Sequence, residues 1–311
     1  MILTVFLFIL GVALLYLGAE GLVRGSIVIA KTMGVRPIVI GLTVVAFGTS
    51  APEFIVSLIS AITGSSDIAL GNIVGSNIAN IGLILGIAAL IYPVDIESQS
   101  ITIYYPVLLI SSVILYLLAL NGIVSFVDGV FLLAGIIAFT VFLINRNEKI
   151  PGFESSPPVL EQKQKSLQVL FIIGGIAFLI AGSHLMVDSG VTIARAFGVS
   201  EFVIGVTLIA VGTSLPELAA TIVAVLKKNT GIILGNIIGS NIFNVLFVAG
   251  GVSLIHPLTV DVSSLRFEFP VMIIFSVVLL IMMRSGFIIN RFEGIILLIG
   301  YLVFLVFLLC G

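Results

Sequence analysis

The sequence predicts an all-α membrane protein with ten transmembrane helices, arranged as two inverted five-helix repeats. Hydrophobic residues make up 60% of the chain and charged residues 9%, and the mean hydropathy is +1.36, which is far more apolar than a soluble core requires. The apolar residues form runs long enough to cross a bilayer. The chain also aligns with itself at a fixed offset, which indicates an internal duplication.

Ten apolar runs account for most of the chain and are the predicted spans. They lie at residues 2–22, 37–62, 68–91, 101–120, 124–144, 167–187, 201–226, 231–255, 267–283 and 288–309. The first run has neither a basic segment before it nor a small-residue cleavage site, so we expect a retained helix rather than a signal peptide. Cys310 is the only cysteine, which excludes an internal disulfide and a thiol-based metal cluster.

The two halves of the chain align without a gap when the sequence is shifted by 164 residues, from Gly18 with Gly182 to about Ile91 with Ile255. Ten of fifteen positions are identical between 39–53 and 203–217. Each half contains five predicted spans, an odd number, so the second copy enters the membrane from the opposite side. Inverted repeats of this kind are typical of secondary transporters, whose site lies at the midplane where the repeats meet.

The basic residues predict the orientation. If the N-terminus and every second loop share one side, the opposite side carries eleven of the thirteen Lys and Arg residues, and only Arg195 and Arg266 remain on the N-terminal side. By the positive-inside rule, both termini are then extracytoplasmic in a multi-pass protein of the cell membrane.

One sustained polar stretch, residues 145–166, separates the halves. It divides the chain into an N-terminal repeat at 1–144, a cytoplasmic linker, and a C-terminal repeat at 167–311. The linker is far too short for a calcium-sensing β-sandwich, which needs about 100 residues.

The most informative phrase is a six-residue segment that occurs twice, at Gly48–Glu53 and Gly212–Glu217, each time inside a predicted span. A carboxylate at membrane depth is costly and usually marks an ion or proton pathway. The proline before each glutamate removes a backbone donor, so the carbonyls of Gly48 and Gly212 lose their helical partners. Such a break persists in a membrane only where it is buried or lines a polar cavity.

A second phrase follows one span later, at Gly71–Asn80 and Gly235–Asn244. Ten of thirteen positions are identical between 68–80 and 232–244. Its glycines four residues apart allow close helix packing. Its serine and last asparagine also lie four residues apart, so they share a helix face. A single copy is compatible with packing alone, but two copies with every oxygen-bearing side chain repeated indicate a site.

Charge narrows the choice of ligand. Glu53 and Glu217 supply two negative charges and the remaining candidate ligands are neutral oxygens, which suits Ca²⁺ with its six to eight oxygen ligands. Mg²⁺ fits less well because it prefers rigid octahedral geometry and keeps its waters. Na⁺ would accept the same hydroxyls and carbonyls, and soft metals lack thiolates and imidazoles here. No span centre carries Lys or Arg, which disfavours an anionic substrate.

With these paired phrases the sequence resembles the cation/Ca²⁺ exchanger superfamily, in the prokaryotic type of its sodium/calcium exchanger branch. The resemblance covers both repeats. It implies a central four-helix core built from the two broken helices of each repeat, with spans 1 and 6 as a sliding, gating pair. It also implies an ion site with the following residues: Ala46 and Ala210 through their carbonyls, and Thr49, Ser50, Glu53, Ser76, Asn80, Thr213, Ser214, Glu217, Ser240 and Asn244 through their side chains.

Two differences from related branches of the superfamily indicate which ion drives Ca²⁺ transport. The proton-coupled branch typically has a histidine beside its acidic motif, and this core has none, which favours Na⁺ as the driving ion. The potassium-dependent branch has aspartate where this chain has Asn244, which argues against a K⁺ requirement. Some potassium-independent prokaryotic relatives also have aspartate there.

Three functions remain open from the residues: a Na⁺/Ca²⁺ antiporter, an antiporter of H⁺ against Ca²⁺ or another cation with the same site, and a gated cation channel. The first is the leading hypothesis. We expect no enzyme activity, because the spans show no histidine pair for a metal and no nucleophile–base pair. We also expect no cofactor, no nucleic acid and no obligate protein partner. The expected partners are the transported ions and membrane lipid.

Overall fold

The computed structural model describes residues 2–146, 162–198 and 210–310 of the chain. The described helices are α1 (Ile2–Met33), α2 (Pro37–Thr49), α3 (Ala51–Ile62), α4 (Ser66–Ile91), α5 (Ser100–Ala119), α6 (Phe126–Asn145), α7 (Gln162–Ala196), α8 (Ala210–Gly212), α9 (Leu215–Leu226), α10 (Thr230–Ile255), α11 (Val262–Arg266), α12 (Glu268–Arg284) and α13 (Arg291–Cys310).

Eight of the described helical segments are long and apolar enough to cross a membrane, with α11 and α12 taken as one. Helices α2 and α3 add a ninth as a pair bent by 41°. The span predicted at 201–226 is described only from residue 210, and α9 alone is short for a bilayer. Most of the predicted linker at 145–166 also lies outside the described residues. A helical membrane protein is therefore confirmed, whereas ten inverted spans remain a prediction.

Two helices extend well beyond their predicted spans. Helix α1 continues to Met33, whereas the predicted span ended at residue 22, and α7 covers Gln162–Ala196 instead of 167–187. Hydrophobicity reports which residues face lipid, and a helix can continue past the bilayer as long as its backbone bonds stay internal. The apolar runs were therefore a poor guide to these helix ends.

Four two-residue strands, which the sequence did not predict, join loops of the two halves. Strand β1 (Val94–Asp95) pairs antiparallel with β4 (Ile288–Ile289), and β2 (Ile123–Val124) pairs with β3 (Leu258–Thr259). Strands β1 and β3 stand 164 positions apart, which is the offset of the sequence repeat. The two strand pairs therefore exchange partners between the repeats.

Helices α4 and α10 form the centre of the molecule. In α10, 94% of the most apolar 18-residue segment is buried, and in α4 the buried share of that segment is 78%. In the other long helices the corresponding share is only 22–39%. Helix α10 packs on α2 through the glycines of its repeated phrase, since a Cβ atom at Gly235 would lie 2.5 Å from the Ile38 carbonyl oxygen. A Cβ at Gly239 would lie 2.7 Å from that of Ala46. The close approach predicted for this phrase is confirmed in the second repeat.

Helices α1 and α7 pack against each other along much of their length. Glycines make this contact so close that the two backbones touch: a Cβ at Gly18 would lie 2.7 Å from the Gly175 carbonyl oxygen, and one at Gly182 would lie 2.8 Å from that of Gly11. These helices correspond to predicted spans 1 and 6. Small residues that let backbones meet are a common basis of helix association in membranes.

Candidate functional site

The chain breaks its helical path at two serines, each just before a Pro-Glu pair. Ser50 lies between α2 and α3 with φ −80° and ψ 2°, and Ser214 lies between α8 and α9 with φ −87° and ψ 6°. Pro52 and Pro216 stand in the first turn of the following helices, where a missing N–H costs little. The predicted breaks are therefore present, and each places a glutamate in the first turn of a new helix.

One of the two backbone carbonyls predicted to lose its helical hydrogen bond accepts a hydrogen bond from a side chain instead. The hydroxyl of Ser183, on α7, donates to the Gly212 carbonyl at 2.8 Å. The equivalent of Ser183 in the first repeat is Ala19, which has no hydroxyl to offer Gly48. No local feature of the sequence indicates this contact, because Ser183 lies in a different predicted span.

Both glutamates are completely buried, with no exposed surface. Ser50 Oγ donates to Glu217 Oε1 at 3.4 Å. The other three carboxylate oxygens have no hydrogen-bond partner among the described residues. Ser214 and Glu217 lie in the immediate electrostatic environment of Glu53, so the two carboxylates share one region of the interior although 164 residues separate them.

Side chains of one repeat contact the second phrase of the other. Thr49 Oγ1 lies 3.2 Å from Ser240 Oγ, and Ser214 Oγ donates to Ser76 Oγ at 3.2 Å. All four of these hydroxyls are buried. The geometry thus brings the predicted hydroxyl ligands of both repeats together around the carboxylates.

The last asparagine of each second phrase begins a π-helical turn, Asn80 in 80–85 and Asn244 in 244–249. Such turns are rare and frequently found at functional sites. Asn80 Nδ2 donates to Asn241 Oδ1 at 2.9 Å, which leaves Asn80 Oδ1 without a partner in the described structure. Neither polar atom of the buried Asn244 side chain has a described partner. Nothing in the sequence pattern distinguished the π turn from an ordinary helix.

Ala46 and Ala210 are the two residues predicted to bind the ion through their backbone carbonyls, and the structure describes the contacts of Ala46 only. The Ala46 carbonyl accepts the Ser50 N–H at 2.9 Å and lies 3.3 Å from Thr49 Oγ1. Ala210 begins α8 at the edge of the described residues, where its side chain is not described. Its role as a ligand remains a prediction, as does that of every other member of the predicted site.

Sequence reasoning missed two side chains at the centre of the polar network. Asn72 and Asn236 contact the backbone carbonyls of Glu53 and Glu217, both at 3.2 Å. They occupy the same place in the two copies of the second phrase. Their identity in both repeats was an available signal, and each stands four residues before the serine of its phrase, on the helix face that carries the serine and the last asparagine.

The chemistry of the site is that of oxygen ligands. Within the described part of the chain, no group of three or more His, Cys, Asp and Glu side chains comes together, so neutral oxygens must complete any metal coordination around the two glutamates. An unpaired buried carboxylate costs several kcal/mol. A cation that binds hydroxyl, amide and carboxylate oxygens would offset that cost.

Comparison with known proteins agrees with this chemistry. A family model described as sodium/calcium exchanger protein matches residues 3–145 and 167–310. The sodium/calcium exchanger MaX1 of Methanosarcina acetivorans is 36% identical over 338 residues, which cover 96% of this chain and 97% of that protein. The inner membrane protein YrbG of Escherichia coli is 36% identical over 316 residues, covering 99% and 97%.

The fold is similar to a solved structure of the sodium-calcium exchanger NCX_Mj soaked with 10 mM Na⁺ and 10 mM Sr²⁺. The TM-score is 0.86 at 33% sequence identity, and the match covers 97% of each chain. Sequence and fold therefore lead to the same family over nearly the whole chain.

Proposed function

This chain belongs to the sodium/calcium exchanger protein family, and we propose that it exchanges Na⁺ for Ca²⁺ across the cell membrane by alternating access, with Glu53 and Glu217 coordinating the ions. As a member of that family it is a membrane-spanning cation/Ca²⁺ antiporter. The proposal adds the driving ion, the coordinating residues, and both termini outside the cytoplasm.

One observation carries the assignment of the glutamates: both are fully buried, and three of their four carboxylate oxygens have no described hydrogen-bond partner. No basic side chain in the described ranges forms an ion pair with either of them. Two negative charges that stay unpaired in a low-dielectric interior call for a cation of matching charge. Ca²⁺ neutralises the pair, and Na⁺ ions bind the same oxygens when Ca²⁺ has left.

The choice of Na⁺ over H⁺ rests on the residues around the carboxylates. The contacts at the site come from hydroxyls, amides and carbonyls. Of the two histidines of the chain, His184 is exposed and His256 is half-buried, and neither makes any of these contacts. Proton coupling through the glutamates alone is the second candidate, favoured by the same unpaired oxygens, because a buried carboxylate can also be neutralised by a proton.

Flux measurements with the purified protein in liposomes separate the two candidates. With pH clamped by buffer and ionophore, vesicles loaded with Na⁺ and diluted into Na⁺-free medium should accumulate ⁴⁵Ca²⁺, and choline-loaded vesicles should not. A pH gradient in the absence of Na⁺ should drive no uptake. Uptake driven by the pH gradient alone would instead establish the second candidate.

The single variants Glu53→Gln and Glu217→Gln are matched controls, because glutamine keeps the size of the side chain and removes its charge. Each should abolish Na⁺-driven Ca²⁺ uptake, since a divalent ion at low dielectric would lose half of its countercharge. Uptake at the wild-type rate in either variant would show that this carboxylate does not bind the ion.

A further inference from the structure

We infer that Asn72 and Asn236 are positioning residues that take up the hydroxyl protons of Thr213 and Thr49, so that each threonine oxygen presents only lone pairs to the bound cation. The inference rests on the proposed function, because it concerns how the same site binds its ions. Neither asparagine belongs to the set of ligands predicted from the sequence.

The contacts of Asn72 determine the orientation of its amide. Asn72 Nδ2 donates to the Glu53 carbonyl at 3.2 Å and to Ser57 Oγ at 2.9 Å. A carbonyl can only accept, so the amide nitrogen must face it. The amide oxygen then faces the opposite repeat, where it accepts a hydrogen bond from Thr213 Oγ1 at 2.9 Å.

Asn236 repeats this arrangement in the second half. Its Nδ2 donates to the Glu217 carbonyl at 3.2 Å and to Thr221 Oγ1 at 3.0 Å, and its Oδ1 accepts from Thr49 Oγ1 at 3.2 Å. Thr49 Oγ1 also lies 3.3 Å from the Ala46 carbonyl and 3.2 Å from Ser240 Oγ, which offer the same proton other acceptors. We therefore expect the effect to be larger for Asn72 with Thr213 than for Asn236 with Thr49.

A threonine hydroxyl has one proton and two lone pairs, so donation to an asparagine leaves an oxygen that can only accept or bind a cation. Without the asparagine the hydroxyl is free to donate to another acceptor such as a carboxylate, and the Thr49 hydroxyl already lies within hydrogen-bonding reach of Glu217. Such a bond would occupy one ligand oxygen on each partner and compete with the ion. The asparagines also link the two repeats, since each binds the backbone of one glutamate and the threonine of the other repeat.

The pseudo-symmetry supplies a crossed double-mutant experiment with built-in controls. The matched pairs are Asn72→Ala with Thr213→Val, and Asn236→Ala with Thr49→Val. The crossed pairs exchange the threonines. For each single and double variant, the Ca²⁺ dissociation constant of the purified full-length protein is measured by titration calorimetry in Na⁺-free choline buffer, and thermal melting reports the state of the fold.

We expect Asn72→Ala and Thr213→Val each to weaken Ca²⁺ binding by about tenfold, and their double variant to be weakened by about the same tenfold. In the crossed double variant Asn72→Ala with Thr49→Val, the effects of the two single variants should multiply. A role in packing alone would lower the melting temperature without producing a coupling that depends on which threonine is changed.

If the losses of Ca²⁺ affinity multiply in the matched double variants as they do in the crossed ones, the inference is wrong and the proposed function is unaffected. A wild-type protein that binds no Ca²⁺ would overturn the proposed function and this inference together. If Asn72→Ala does not fold, Asn72→Ser replaces it in the cycle, since serine retains a small hydroxyl donor but is too short to span from the Glu53 carbonyl to Thr213. The cycle of Asn236 and Thr49 then provides a second, independent comparison.

Discussion

Two buried amides, Asn80 and Asn244, accompany the two glutamates and add dipoles to the site without adding charge. They differ in their contacts, since Asn80 donates to Asn241 and Asn244 has no hydrogen-bond partner in the described structure. A buried polar side chain without a partner is costly and calls for an explanation. An ion or a water molecule bound during transport would supply the missing partner of Asn244.

Changing Asn244 to Asp tests this residue directly. The substitution keeps the shape of the side chain and raises the local formal charge from −2 to −3. Ca²⁺ alone would then leave one negative charge unbalanced, so the site must take up either a proton or a monovalent cation with it. We expect Ca²⁺ uptake by the variant to depend newly on pH, on K⁺, or on both. Uptake is measured against pH with and without K⁺ in both proteins, and identical profiles would place Asn244 outside the ion site.

At the scale of elements, the contact between α1 and α7 depends on glycine. A Cβ atom at Gly175 would lie 2.7 Å from the Gly18 carbonyl oxygen and 2.7 Å from the Leu22 backbone nitrogen, and backbone atoms cannot move away as a flexible side chain can. Next to it, a Cβ at Gly174 would meet no described atom within 4 Å. The two adjacent glycines therefore form a matched pair on one helix.

Gly175→Ala should destabilise the protein by about 1–3 kcal/mol, because the added methyl group forces the two helices apart. Gly174→Ala should be neutral or stabilising by up to about 1 kcal/mol, because alanine is the better helix former and the space is open. Thermal melting of the purified variants checks both signs. Equal melting temperatures for the two variants would show that the close approach of α1 and α7 does not contribute to stability.

At the scale of the whole molecule, the two halves exchange partners but are not equivalent. Besides the swapped strand pairs, two polar contacts involve α1 and α7: Ser183 donates to the Gly212 carbonyl within the second repeat, and Lys227 forms an ion pair at 2.8 Å with Glu20 of the first repeat. The ion pair is about one-third exposed, so its own contribution to stability is small. The first-repeat equivalents of Ser183 and Lys227 are Ala19 and Thr63, which can form neither contact.

The inverted topology predicts on which side two related turns lie. In a Cys310→Ser background, Thr63→Cys should label with a membrane-impermeant maleimide only from outside the cell, and Lys228→Cys only from the cytoplasmic side. Thr63 is preferable to Gly64, whose φ of 85° would strain any other residue. These turns stand at nearly equivalent places in the two repeats. Labelling of both from the same side would contradict the inverted arrangement.

Several features could be predicted from the sequence because they depend on local pattern. Lipid contact requires long apolar runs, so the spans among the described residues could be located, and the repeated phrases identified both helix breaks and the two buried glutamates. The family could also be identified, because a duplicated phrase with its oxygen-bearing residues intact is highly specific. Helix ends such as Met33 could not be located, because a helix continues wherever its backbone bonds are satisfied.

The tertiary structure alone decided which residues of different spans meet. The contacts of Asn72 with Thr213 and of Ser183 with Gly212, and the backbone contact between Gly18 and Gly175, join residues of different spans. Sequence periodicity shows which face of a helix is apolar, but not which helix covers it or in what register. Packing between distant segments sets those contacts, and for that reason the positioning asparagines and the π turns became apparent only in the folded chain.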